Sequence, residues 1–386
     1  MGPPLSRQPL SRRKKLVFGA IATLGVLSLL EGAVRVREKV LYGTFARAGT
    51  GLYRPPANAP AVVTITGAGV SSGTAVKLHR LQPGTDIQGA RMQVHVSSLG
   101  LRGREVERPK PAGTTRVLCL GGSTTFDIYA VSDDVTWPAL LEARLGKTHP
   151  RVEVVNGGVS GREAAEDLAP EVFELTRSLE PDVVVLYHAT NDVTAACNRL
   201  AGRIKFATSA DGGQGYPATR VVRAITDGSL LAYKVWLVTQ SFTDPPETAG
   251  PASDLPDEDV AAFEATLREL VKRLQGIGAR VALGTFALRW RADQPPEVQR
   301  RLARGASDRY PALSLEGINR TFRRYNDAIA RVASDTGAIL VPIADRLSGE
   351  ERFFGDVMHT TREGSERLAE VVADGLEGAG ALPGSR

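Results

Sequence analysis

Four short stretches hold side chains that could do chemistry together. "CLGGSTTF" (residues 119–126) sets Ser123 behind two glycines at the end of an apolar run. "NGGVSG" runs from Asn156 to Gly161, "HATND" from His188 to Asp192, and "GDVMHTT" puts Asp356 three residues before His359. A serine hydroxyl is a weak nucleophile until a base takes its proton, and a histidine can do that near neutral pH. A carboxylate beside the ring holds its tautomer and stabilises the imidazolium. Attack on a carbonyl creates an oxyanion that needs donors aimed at it. The backbone N–H groups of Ser123 and Gly161 and the side-chain amide of Asn191 are the candidates, and glycine at 161 allows close approach of backbone to substrate. His188 is a candidate substrate contact, with a structural histidine at a strand end as the alternative. Each stretch alone also has a plain reading: two turns, an Asx cap and an acidic surface loop. The chemistry needs a fold that brings all four to one place.

The elements that would do so are visible in the apolar pattern. Nearly continuous, β-branched runs occur at 116–120, 151–155, 182–187, 279–284 and 337–343, as strands buried on both faces of a parallel sheet require. Helical patterns separate them. "TWPALLEARLG" has Thr136 as a cap and Pro138 in its first turn. "REAAEDLAPEVFELTRSLE" is interrupted by Pro170. "DEDVAAFEATLRELVKRLQGIG" is acidic at its start and basic near its end, as the helix dipole favours. Phe322, Tyr325, Ile329 and Val332 share one helical face, and a last helix covers roughly 362–376. The alternation predicts an α/β fold with a doubly wound, five-stranded parallel sheet. In such sheets ligands sit beyond the carboxyl ends of the strands, the rim on which all four stretches would fall.

These four blocks, in this order, resemble the SGNH or GDSL-type hydrolase family of esterases, lipases, thioesterases and carbohydrate deacetylases. The resemblance covers about Arg116 to Leu376 and implies a flavodoxin-like fold. It implies Ser123 as nucleophile, His359 as base, Asp356 as its orienter, and Ser123, Gly161 and Asn191 as oxyanion donors. Two positions depart from the family pattern. Gly122 stands where an acid usually precedes the serine, and Thr360 stands where a proline often follows the histidine. The "GGSTT" block and the upstream "GLRG" stretch resemble a membrane-anchored bacterial branch. The implied activity is that of a serine esterase acting on an acylated small molecule, lipid or envelope glycan. The alternatives are an O-acyltransferase with the same triad and a non-catalytic envelope-assembly or glycan-binding protein on the same scaffold. No cofactor is expected. "GGSTTF" lacks the spacing of nucleotide-binding glycine loops, and no Cys/His cluster has zinc-ligand spacing.

The remaining features concern location. The net charge of +5 is concentrated at the N-terminus: residues 1–40 hold eight Lys/Arg and two Asp/Glu, leaving the other 346 residues at −1. A nucleic-acid partner would need a basic patch on the folded body, so none is expected. Four basic residues, Arg12 to Lys15, precede uncharged residues from Leu16 to Leu30. Residues 1–40 therefore read as a basic cytoplasmic tail and an uncleaved signal anchor in the inner membrane, with the body periplasmic. A cleaved signal peptide and a secreted body are the alternative. Residues 41–110 read as a β-type or irregular extension and linker, and 111–380 as the hydrolase domain. An insertion at about 195–256, rich in Pro and Gly, reads as a lid or substrate-selecting flap. Cys119 and Cys197 cannot form a disulfide framework, and Cys119 is expected as a free thiol within a strand.

Overall fold

The computed structural model describes residues 11–42, 62–68, 75–88, 92–200, 229, 231–232, 235, 254–310 and 312–382. Helix α1 (Arg12–Tyr42) comes first. Two antiparallel pairs follow, β1 (Val62–Ala68) with β2 (Ala75–Leu81) and β3 (Asp86–Gln88) with β4 (Gln93–His95). The main body then runs β5 (Thr115–Gly121), α2 (Ser123–Phe126), α3 (Trp137–Leu145), β6 (Val152–Asn156), α4 (Pro170–Ser178), β7 (Val183–Tyr187) and α5 (Thr190–Leu200). It continues through α6 (Asp257–Gly276), β8 (Arg280–Gly284), α7 (Pro296–Leu302), α8 (Ala306–Arg309) and α9 (Leu315–Thr336). It closes with β9 (Ile339–Val341), α10 (Ile343–Leu347) and α11 (Arg362–Gly378).

Strands β5 to β9 form the five-stranded parallel sheet in the order β6-β5-β7-β8-β9. The chain steps outward from β5 to β6, then returns past β5 to β7. The switch point lies between the carboxyl ends of β5 and β7, where open α/β sheets bind ligands. The sequence explains the central strands directly. Every side chain of Val183–Tyr187 is buried, as are Val117 to Leu120. Each such Val or Leu contributes about 1.5–3 kcal/mol by leaving water. The last run is shorter than its apolar pattern predicts. Gly337, at φ +70°, ends the preceding helix in the left-handed region, and Pro342 has no N–H to extend the ladder. Leu340 is therefore left 41% exposed on an edge strand.

The helices pack as pairs, α6 on α9 and α3 on α11. The Thr136 side chain accepts from the Ala139 N–H at the start of α3, and Ser314 caps α9 through Gly317. Ile318, Phe322, Tyr325, Ile329 and Val332 form the buried stripe of α9. The segment before Pro170 is a 3-10 turn, Ala164–Leu168, rather than a continuation of α4. Cys119 and Cys197 are both free and buried.

Within α1, the stretch Arg13–Val36 has a mean hydropathy of 1.9 and is long and apolar enough to cross a membrane by length and composition. A signal sequence has the same properties. The expected lid at about 195–256 lies outside the described residues, apart from the end of α5, residues 229, 231–232 and 235, and the approach to α6 from 254. The stretch after β4 joins the main body closely: Leu101 belongs to the principal hydrophobic core, and the Arg102 side chain is fully buried.

Candidate active site

Ser123 opens α2 directly beyond β5, and its side chain is almost fully buried. Its Oγ lies 2.8 Å from Nε2 of His359. On the other side of the ring, Nδ1 lies 2.7 Å from Oδ2 of Asp356. The Oδ1 of Asp356 accepts the backbone N–H groups of Met358 at 2.9 Å and His359 at 2.8 Å. Three-residue spacing closes this turn, so one carboxylate fixes both the loop and the ring. Burial alone would raise the Asp356 pKa, but the neighbouring His359 and these hydrogen bonds outweigh it and hold the carboxyl below its ordinary range. A carboxylate ionised in this position favours the Nδ1–H tautomer, leaving Nε2 free to accept the serine proton.

Of the oxyanion candidates, Asn191 lies beside the backbone that leads into Ser123, and Gly161 immediately precedes Arg162, whose carbonyl the Asn191 amide meets. Asn191 lies in the first turn of α5, beyond β7, and is 2% exposed. Its Nδ2 donates to the Arg162 carbonyl at 2.9 Å, which leaves the second amide hydrogen available. A Cβ built on Gly122 would sit 2.3 Å from this Nδ2, so the amide lies against the backbone immediately before Ser123. Among the described residues, neither Ser123 N–H nor Gly161 N–H has a hydrogen-bond acceptor. Gly161 has φ +88°, in the left-handed region, and a Cβ there would lie 3.1 Å from Nε2 of His79. Glycine at 161 thus serves the backbone turn and the His79 ring. Truncating Asn191 to alanine is expected to lower kcat by on the order of 10²–10³, the usual loss for one oxyanion donor. Steady-state kinetics on a short-chain aryl ester would measure it, and a loss under threefold would remove Asn191 from the site.

Of the two readings the sequence leaves for His188, substrate contact or structural histidine, its surroundings fit the structural one. It is buried, and its Nε2 lies 2.8 Å from Oδ2 of Asp167, itself fully buried. Desolvation opposes its charged form, but Asp167 and Asp192 outweigh this and raise its pKa. Strand β7 ends at Tyr187, and the next residue, His188, is buried against Asp167 of the turn that follows Gly161. The Asp192 carboxyl, pushed up to about 6 mainly by burial, accepts the Ala164 N–H in the same cluster.

The sequence assigns no role at the site to several supporting residues. The guanidinium of Arg102, in the "GLRG" stretch, donates to the carbonyls of Phe126 at 2.7 Å and Asp127 at 2.9 Å and pairs with Asp133 at 2.8 Å. It therefore satisfies carbonyls left open where the four-residue helix α2 ends. Tyr129 donates its hydroxyl to Oδ2 of Asp356 at 2.8 Å and meets the His359 ring edge-on. A Cβ on Gly355 would lie 2.4 Å from the Tyr129 ring, which accounts for the glycine before Asp356. Thr360, the departure after the histidine, shares a hydrogen bond with Ser365, and Ser365 donates to the buried Asp127. Burial pushes the Asp127 carboxyl up to about 6 despite these bonds and the Trp137 N–H. From β2, His79 places Nδ1 2.8 Å from Glu166, and its carbonyl accepts from Arg162 at 2.9 Å. The loop from Gly157 to Glu166 is thereby gripped from the N-terminal side.

A parallel sheet that presents a serine beyond one central strand, an amide beyond the next, and a His–Asp pair from the last loop belongs to a serine ester hydrolase of the doubly wound α/β class. The model of the GDSL-like lipase/acylhydrolase family matches residues 119–367, well over half of the chain, and the chain belongs to that family. Its solved structural neighbours include an acetylxylan esterase from Geobacillus stearothermophilus, at 16% identity over 68% of this chain and 95% of that one, with a TM-score of 0.42. The structure named TesA matches at 17% identity over 69% of this chain and 100% of its own, with a TM-score of 0.41. LAE5, an α/β hydrolase from the metagenome of Lake Arreo, Spain, matches at 17% identity over 70% and 98%, with a TM-score of 0.42. No curated protein matches the chain.

Proposed function

We propose that the chain is a membrane-anchored serine esterase that removes an ester-linked acyl group from a glycan or lipid of the cell envelope. One observation carries the reading. Ser123 Oγ, His359 Nε2 and Asp356 Oδ2 form a chain with links of 2.8 and 2.7 Å. In this mechanism Ser123 Oγ attacks the ester carbonyl as its proton passes to Nε2 of His359. The Ser123 and Gly161 N–H groups and the Asn191 amide receive the negative charge on the carbonyl oxygen. The intermediate collapses, the C–O bond to the alcohol breaks, and His359 returns the proton to the leaving oxygen. Water, deprotonated by His359, then attacks the acyl-serine, and the acid leaves as Ser123 regains its proton.

The envelope assignment follows from α1. Basic residues before a lone apolar span favour an N-terminus in the cytoplasm and a body outside. Acyl esters of envelope glycans and lipids are the substrates within reach of a body tethered there. Protease added to spheroplasts is expected to digest the body while leaving a membrane-bound fragment near residue 40. Complete protection of the body would overturn the topology, and a body released to the medium without protease would show a cleaved signal. The activity is tested with the full chain in detergent, first on short-chain aryl esters and then on acetylated polysaccharides and phospholipids. No turnover across that panel, together with no fluorophosphonate labelling, would overturn the esterase reading.

A further inference from the structure

We propose that Arg309 is a positioning residue for catalysis: it orients the Asn191 side chain so that its amide nitrogen faces the oxyanion. The proposal rests on the reading of Ser123 as nucleophile and Asn191 as oxyanion donor. An asparagine amide has two ends of nearly the same shape and opposite function, one donating and one accepting. Turned the wrong way, Asn191 would aim a carbonyl oxygen at the developing negative charge. The structure closes off that orientation from both sides. Nη2 of Arg309 lies 2.7 Å from Oδ1 of Asn191. A guanidinium only donates, so it accepts no amide hydrogen in place of that oxygen. On the other side, Nδ2 donates to the Arg162 carbonyl at 2.9 Å, and a carbonyl only accepts. A flip of the amide would set donor against donor and acceptor against acceptor at once.

The placement of Arg309 is itself fixed. It ends the short helix α8 (Ala306–Arg309), and the next residue, Tyr310, is fully buried with its hydroxyl 2.7 Å from Oγ1 of Thr190. Thr190 immediately precedes Asn191, and its hydroxyl also reaches Sδ of Met358 at 2.9 Å, next to His359. Two adjacent residues of this segment thus hold two adjacent residues of α5. The Nε of Arg309 is buried with no hydrogen-bond partner among the described residues, so the side chain gives up hydration at one nitrogen while Nη2 engages the amide. The guanidinium charge also draws electron density from the amide oxygen, which makes the opposite N–H groups stronger donors.

The experiment is a double-mutant cycle on the full chain in detergent, with p-nitrophenyl acetate as substrate. Arg309→Met removes every donor at similar length. It is expected to lower kcat by about 10- to 100-fold, the scale of a misplaced catalytic group, while KM moves less than about twofold. Arg309→Lys, which keeps a cationic donor, is expected to recover part of the loss, and it serves in the same cycle where the Met variant does not fold. In the Asn191→Ala background the Arg309 substitution is expected to have almost no further effect, because there is no amide left to orient. Losses that multiply would overturn the proposal, since Arg309 would then act independently of Asn191. Wild-type kcat in Arg309→Met would overturn it too, while unchanged fluorophosphonate labelling at Ser123 would leave the nucleophile assignment standing. If the wild-type chain neither turns over the ester nor takes the label, both assignments fall together.

Discussion

Ser123→Ala is expected to lose on the order of 10⁶ in kcat for every ester the wild-type chain accepts, and to end fluorophosphonate labelling. The substitution removes the oxygen that lies 2.8 Å from Nε2 of His359 and changes little else. The hydroxyl sits in a nearly buried position at the head of a four-residue helix, and the backbone N–H that serves the oxyanion remains. Thermal unfolding should therefore stay close to wild type. His359→Ala is expected to be about as severe, because the proton then has no acceptor. Asp356→Asn should fall somewhat short of that, on the order of 10⁴, since the imidazole survives in the wrong tautomer. Tyr129 and the two backbone N–H groups would still meet the residue at 356, so the loop should hold its shape. These losses should not multiply when combined, because the three residues act as one unit. Equal rates for the wild type and Ser123→Ala would remove Ser123 from the chemistry and leave it as a turn residue.

Much of this site is legible in the sequence because its parts are local. A strand buried on both faces needs a run such as Val183–Tyr187, and the turn after it must carry the polar residues. The three-residue step from Asp356 to His359 is likewise local, and closes through Oδ1 onto the His359 N–H. The strand order, which the sequence reading leaves open, places Ser123 and Asn191 at the switch point. What the sequence hides are the contacts between distant segments. Arg102, His79 and Arg309 reach the nucleophile helix, the oxyanion loop and the Asn191 amide from far along the chain, and none has a spacing or period that marks it. His188 reads from the sequence either as a substrate contact or as a structural histidine. Its neighbours in sequence point to the rim, but the residue after a strand can turn to either side, and the buried Asp167 captures its ring. Gly122 and Thr360 read only as departures from a family pattern until the structure shows what they touch. Thr360 ties the residue after His359 to Ser365 and so to the buried Asp127.

Gly122 leads to the second large effect: restoring the family's acid there, as Gly122→Asp, is expected to lower kcat by on the order of 10⁴. The glycine at 122 is not there for a left-handed turn, since its φ is −85°. The demand comes from the neighbour. A Cβ at this position would stand 2.3 Å from Nδ2 and 3.5 Å from Cγ of Asn191. The amide has nowhere to retreat, because Arg309 holds its oxygen and the Arg162 carbonyl holds its nitrogen. Any side chain at 122 must therefore displace Asn191, the proposed oxyanion donor, a loss of about 10²–10³ in rate. An aspartate adds a second penalty by setting a carboxylate beside the developing negative charge, a repulsion of about 1–4 kcal/mol at an effective dielectric between water and a protein surface. Gly122→Ala separates the two terms, and should lose only the first. Combining Gly122→Ala with Asn191→Ala removes the obstructed amide, so that double variant is expected to match Asn191→Ala alone. A Gly122→Asp protein with wild-type kcat would show that Asn191 can move aside without cost, and that the glycine is not what holds the donor against the nucleophile.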